Sequence, residues 1–133
     1  MPILTQETIG YINVFEDVTK TTVKDVIKTS ELLFIVKEGD IARAIGRNGI
    51  NIKRLGRLFR KKIRVVEYSK DAEKFVQNMI KPIESKVYKE DKNVIIELKN
   101  SHEKAIIIGK NKRNLKELNK TVKKYFDVNL MVK

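Results

Sequence analysis

Ala42-Arg43-Ala44-Ile45-Gly46-Arg47-Asn48-Gly49-Ile50-Asn51-Ile52-Lys53-Arg54-Leu55 returns 63 residues later as Ala105-Ile106-Ile107-Ile108-Gly109-Lys110-Asn111-Lys112-Arg113-Asn114-Leu115-Lys116-Glu117-Leu118. Ala, Ile, Gly, Asn, Asn, Lys and Leu fall on identical positions without a gap. A repeat of this length implies two copies of one supersecondary unit. Each copy reads as an apolar helix, a tight glycine turn and a basic helix. Missing side chains in such a turn let a sugar-phosphate backbone come close, and the amides opening the next helix face its charge. The repeat therefore points to nucleic acid.

The charge distribution follows the repeat. The chain has 133 residues and a formal net charge of +12. Residues 41–66 hold nine Lys or Arg and no acid; residues 104–124 hold eight basic residues against Glu117, which leaves −4 for the rest. A field concentrated in this way raises encounter with polyanions and makes binding salt-dependent. A length of 133 residues and an internal repeat favour two small units, 1–68 and 69–133.

Other classes drop out on composition. There is no cysteine, so disulfides, zinc fingers and thiol chemistry are excluded. The longest apolar run, Leu32 to Val36, is far too short to span a bilayer, and the N-terminus has no signal-peptide pattern. A soluble cytoplasmic protein is expected, with no membrane partner.

Around the repeat, the periodicity predicts the same elements twice. Thr5 is a candidate cap for a helix carrying Ile9, Ile12, Phe15 and Val18 at helical spacing, with Glu7 in its first turn. Val23 to Thr29 and Leu32 to Val36 read as a hairpin, Glu38 to Ile45 and Ile50 to Lys61 as helices flanking the turn, and Ile63 to Tyr68 as a strand. In the second unit Ser69 is the expected cap of a helix with an Ala72, Phe75, Val76, Met79, Ile80 face, and Pro82 lies just beyond its end. Glu84 to Lys89 and Val94 to Lys99 form the next hairpin. Ser101 caps a helix to Ile108, Arg113 to Tyr125 follows the second turn, and Val128 to Val132 closes the unit. Each unit is α-β-β-α-turn-α-β. Strand and helix signals almost touch around Tyr68 to Asp71, so the very short linker is expected to join the units rigidly.

The helix after the first turn separates into two faces. Ile52, Leu55, Leu58 and Phe59 are expected inside, and Lys53, Arg54, Arg57, Arg60 and Lys61 outside. The second copy sets Leu115, Leu118 and Val122 against Lys116, Lys120, Lys123 and Lys124. A basic helical face alone is usually only solvated; beside a glycine turn, and twice, it reads as a binding surface. Ile50 breaks the pattern by sitting on the basic side, where it could line a groove for a base.

Ile-Gly-Arg-Asn-Gly-Ile-Asn-Ile, between two short helices and behind a β-hairpin, resembles the K-homology (KH) domain, whose loop clamps about four nucleotides of single-stranded nucleic acid. A helix and two strands before the loop and one strand after it resemble the type II arrangement. The resemblance implies an α+β fold of two tandem type II KH domains. With little else in the chain, it resembles the short archaeal NusA-like transcription termination/antitermination factors. By that resemblance Gly46, Arg47, Asn48 and Gly49 form the RNA-gripping loop, Ile45 and Ile50 line its groove, and Lys53, Arg54 and Arg57 contact phosphates. In the second unit Gly109, Lys110, Asn111 and Lys112 match the loop, with Lys116 beside it. Lys112 stands where the pattern has its last Gly, so the first unit is expected to be the stronger grip. The implied partner is single-stranded RNA, with RNA polymerase a further candidate that no particular residue supports.

Rival readings fare worse. Helix-hairpin-helix modules share an Ile-Gly turn but sit in all-helical surroundings. A P-loop needs Gly-x-x-x-x-Gly-Lys-Ser/Thr, which is missing. An RNA-recognition motif needs stacking aromatics on its strands, and these strands are aliphatic. His102 is the lone histidine, at a polar helix start, and the acids are scattered, so no enzyme, metal site, cofactor or small-molecule substrate is expected. The main rival is a protein-interaction adaptor whose basic faces dock on polymerase or the ribosome; a ribosome-associated or RNA-maturation KH protein is another.

Overall fold

The computed structural model describes residues 5–133, and the chain divides into two compact units, Met1–Tyr68 and Ser69–Lys133. Both are mixed α+β, with the same order of elements around one three-stranded sheet.

In the first unit, helix α1 spans Gln6–Thr19. The Thr5 hydroxyl accepts from the Thr8 amide at 3.1 Å and the Thr8 hydroxyl from the Thr5 amide at 2.9 Å, a reciprocal cap that satisfies two orphan donors. Phe15 is fully buried, with Tyr11, Ile12 and Val18 packed against the core; Ile9, expected inside, is 43% exposed. Residues three apart drift about 60° around a helix per step, so Ile9 and Phe15 cannot share a face. Tyr11, four before Phe15, takes the inward position and meets Phe59 edge-on at 5.0 Å.

Strand β1 (Val23–Lys28) pairs antiparallel with β2 (Leu32–Val36), and β2 pairs parallel with β3 (Ile63–Glu67). All five residues of β2 are buried, which explains its unbroken apolar run: it is the central strand and both of its faces are covered. Phe34, Leu32 and Val36 meet Phe15, Ala44 and Leu55 on the helical side, with Phe15 and Phe34 stacked at 4.2 Å.

Helices α2 (Ile41–Ile45) and α3 (Ile50–Phe59) are both shorter than the periodicity predicts. Gly39 is left-handed at φ 93°, so α2 starts only after Asp40, whose carboxylate accepts from the Thr22 amide at 2.9 Å and pairs with Arg43 at 3.1 Å. Arg60, left-handed at φ 53°, ends α3 before Lys61.

The second unit repeats this plan. Helix α4 (Ala72–Ile80) buries Ala72, Phe75, Val76, Met79 and Ile80, as its spacing predicts. Its cap is Asp71, which accepts from the Glu73 amide at 3.0 Å; Ser69 is buried and accepts from the Asp71 amide instead. Strands β4 (Lys86–Glu90), β5 (Asn93–Glu97) and β6 (Asn129–Val132) give the same antiparallel-then-parallel sheet. Helix α5 (Ser101–Ile108) is capped by Asn100, one residue earlier than expected, because the Asn100 amide oxygen reaches the His102 amide at 2.7 Å. Helix α6 spans Arg113–Lys123, and Phe75 packs against Tyr125 and Phe126 just past its end. Among the described residues, no helix is long and apolar enough to cross a membrane.

Candidate nucleic-acid interface

The two glycine turns connect α2 to α3 and α5 to α6 tightly, closed by the Gly49 amide donating to the Gly46 carbonyl at 3.1 Å and the Lys112 amide to the Gly109 carbonyl at 3.2 Å. Their backbones coincide residue by residue. Gly46 has φ 78°, ψ 170° and Gly109 φ 74°, ψ 173°. Asn48 and Asn111 are left-handed at φ 55° and 57°. Gly49 (φ 71°, ψ 21°) and Lys112 (φ 60°, ψ 22°) are left-handed as well. The substitution of Lys for the last Gly therefore leaves the shape of the loop unchanged.

A side-chain brace that the sequence reading did not single out explains this persistence. The Asn51 side-chain amide donates to the Arg43 carbonyl at 2.9 Å, and Asn114 donates to the Ile106 carbonyl at 2.9 Å. Each Asn sits in the first turn of the helix after the loop. From there it satisfies a carbonyl at the end of the helix before it, one of the orphan groups of a helix C-terminus. The cost is space above the first glycine. A Cβ on Gly46 would lie 2.9 Å from Asn51 Nδ2, and one on Gly109 would lie 2.7 Å from the Asn114 side chain. The signal was present in the repeat, since Asn51 and Asn114 are among its identities.

The helices that follow the loops are built differently from α1, α4 and α5. Helices α1, α4 and α5 each have a side-chain cap and an acid in the first turn: Thr5 with Glu7, Asp71 with Glu73, and Asn100 with Glu103. Helices α3 and α6 have neither. Their leading amides keep the partial positive charge that α1, α4 and α5 neutralise, and basic side chains crowd the same end. Arg47, Asn48, Lys53, Arg54 and Arg57 are exposed in the first unit, and Lys110, Asn111, Lys112 and Lys116 in the second; Gly46, Gly49 and Gly109 are half-buried. Loop and following helix thus present one cationic surface in each unit.

The apolar positions divide. Ile45 and Ile50, on either side of the first loop, are 37% and 59% exposed. Leu58, expected in the core, is 57% exposed, while Leu55 is fully buried and Ile52 and Phe59 pack at the core margin. Leu58, three residues past Leu55, lies about 60° round the helix from it, at the margin of the inward face, and is left uncovered there.

The perturbed ionisable groups lie outside this surface. A hydrogen bond from Lys28 lowers the pKa of Glu7 and raises that of Lys28, and Tyr11, donating to Glu7, is raised as well. His102 is exposed, and among the described residues no cluster of His, Cys, Asp or Glu could hold a metal ion.

Comparison with known proteins gives the family. A KH domain family model matches residues 10–90. The chain is 35% identical over 127 residues to the probable transcription termination protein NusA of Methanocaldococcus jannaschii, covering 92% of this chain and 69% of that protein. It is 44% identical over 82 residues to the protein of the same name from Methanococcus vannielii, where the match covers 61% of this chain and about half (47%) of the relative. With the Thermoplasma acidophilum protein of that name it shares 27% identity over 129 residues, covering 92% and 89%. The crystal structure of APE1850 has a TM-score of 0.73 at 34% identity, covering 97% of this chain and 99% of that one. With a KH model over 81 of its 133 residues and a 35% identical relative aligned along most of its length, the chain belongs to the KH-domain family, as a NusA-like member of the archaeal type.

Proposed function

We propose that this chain binds single-stranded RNA, without a catalytic step, and acts in the regulation of transcription termination. The observation that carries the reading is the twice-built loop: a glycine turn held open by an Asn brace, running into an uncapped, acid-free helix start with a basic face. The NusA name of the relatives supports the biological setting, and RNA polymerase is the protein partner it suggests.

In the first unit the RNA backbone lies over Gly46 to Gly49, where no side chain stands between phosphate and main chain at either glycine. Arg47 and the opening amides of α3 meet the phosphates, and Lys53, Arg54 and Arg57 extend the contact along the helix. Bases turn toward Ile45 and Ile50. Each loop is sized for about four nucleotides. Cation–phosphate contacts release counterions, so log K falls with log[salt] by roughly 0.7 per phosphate contacted on a single strand.

Fluorescence-anisotropy titration of short single-stranded RNAs at two salt concentrations tests this. We expect Arg47→Asp/Asn48→Asp to lower affinity by about tenfold or more, since two negative charges replace one positive charge at the phosphate. Lys110→Asp/Asn111→Asp has a smaller effect. Equal weak binding by all three proteins, vanishing with salt, would overturn the reading and leave the basic faces as docking sites for an acidic protein surface.

A further inference from the structure

The two loops share a backbone but differ in what surrounds it. Position for position, Ile50 of the first unit is Arg113 in the second, Leu58 is Thr121, and Ile45 is Ile108. Ile50 and Leu58 are 59% and 57% exposed; with Arg54 between them they are spaced four apart, so the three form one ridge along α3. The same ridge on α6 reads Arg113, Glu117, Thr121. Thr121 is buried with its hydroxyl donating to the Glu117 carbonyl, and Ile108 is only partly exposed. Two large aliphatic side chains held in water among cations gain nothing from the fold; covering them with a flat, weakly hydrated face recovers the apolar burial.

Resting on the RNA-grip reading above, we infer that the two units divide the work: the first reads bases through Ile50 and Leu58, and the second holds phosphate irrespective of base. A nucleobase supplies the flat face that the first ridge lacks, while its phosphate meets Arg47 and Arg54. The second ridge has no exposed aliphatic and sets one cation, Arg113, beside one anion, Glu117, so phosphate there falls to Lys110, Lys112 and Lys116 beside it. Lys112, which keeps the loop's left-handed backbone, adds a further cation where the first unit has a bare glycine. Near the second loop Ile106 is 49% exposed. It occupies the place of Arg43, on the helix before the turn, and so is not part of the ridge.

The test uses the full chain, homopolymeric RNAs of about eight nucleotides and an abasic phosphate-backbone oligomer of the same length. Ile50→Ala is expected to weaken homopolymer binding by about three- to tenfold, the scale of losing one base contact, and to leave abasic binding unchanged. Lys110→Asp/Asn111→Asp should weaken homopolymer and abasic binding by the same factor. Arg113→Ile should strengthen binding to at least one homopolymer and not to the abasic strand. The division of labour is overturned if Ile50→Ala lowers both ligands equally or neither, or if Ile106→Ala changes the preference among homopolymers. In those cases RNA binding itself, and its loss on charge reversal at Arg47 and Asn48, still stands. Absence of RNA binding by the wild-type chain overturns the grip reading and this inference together. Ile50, Ile106 and Arg113 are exposed, and unchanged circular dichroism of each variant shows that folding is preserved.

Discussion

Gly49 and Lys112 occupy the same place in two loops of one shape, yet Gly46 and Gly109 are both glycine, and the contrast separates two reasons for using that residue. At the last position the backbone requires only a left-handed φ, and a Cβ on Gly49 would meet nothing within 4 Å. A Lys can therefore adopt that conformation at modest cost. At the first position ψ is near 170° with φ near 75°, a region essentially restricted to glycine, and the braced Asn fills the space a Cβ would need. The pattern Gly-x-x-Gly thus contains one glycine demanded by the fold and one that the fold can release.

The largest expected effect breaks the first half of that comparison. Gly46→Ala and Gly109→Ala should each destabilise their unit by about 3 kcal/mol, from forbidden backbone geometry and contact with the Asn. Urea denaturation followed by circular dichroism measures this, and a loss under 0.5 kcal/mol would show that the first glycine is as dispensable as the last. Removing the brace comes next. Asn51→Ala and Asn114→Ala should each cost about 1 kcal/mol by leaving a helix-end carbonyl without its partner. The pair sharpens the argument when combined. Gly46→Ala with Asn51→Ala should cost less than the sum of the single changes, because the Asn side chain is the group the new Cβ strikes. Strict additivity would mean that the strain is in the backbone alone.

The smallest effect tests the second half. Lys112→Gly should stabilise the second unit by about 0.5 kcal/mol, the left-handed penalty being partly offset by the greater freedom of glycine in the unfolded chain. Gly49→Lys should destabilise the first unit by a similar amount. Thermal unfolding of the exchanged proteins gives both numbers. A large loss from Gly49→Lys would place a steric demand at that position that the geometry does not contain. Measured against RNA, Gly49→Lys should lower affinity, since its side chain stands where phosphate meets the main chain, but less than Arg47→Asp/Asn48→Asp, since it adds a cation and retains the loop.

The places where expectation and structure part are of one kind. Ile9 and Leu58 were expected inside because they are apolar and near the right phase, and both are exposed. Periodicity identifies a face to within one helical step, but which residue at its margin is covered depends on where the neighbouring element lies. The caps shift for a similar reason. Ser69 and Ser101 are good capping residues, yet Asp71 and Asn100 hold the helix amides, because the capping residue is the one left in extended conformation where the preceding chain ends. The brace has no signature within its own helix and is marked only by the repeated Asn; its partner carbonyl is eight residues away and comes within reach only when two helices fold back on one turn.

The sequence by itself determined what depends on local pattern and repetition. That includes the duplicated unit, the order of elements in each, the central strand Leu32–Val36, the glycine turns and the cationic helices behind them. Those features follow from residue type, spacing and charge, which act over a few residues. The tertiary structure alone decided that a Lys could stand in for the last glycine without changing the loop, that an Asn locks each turn, and that Leu58 remains in water. Each of these is a question of which atoms become neighbours, and only the packing of helix against helix and sheet answers it.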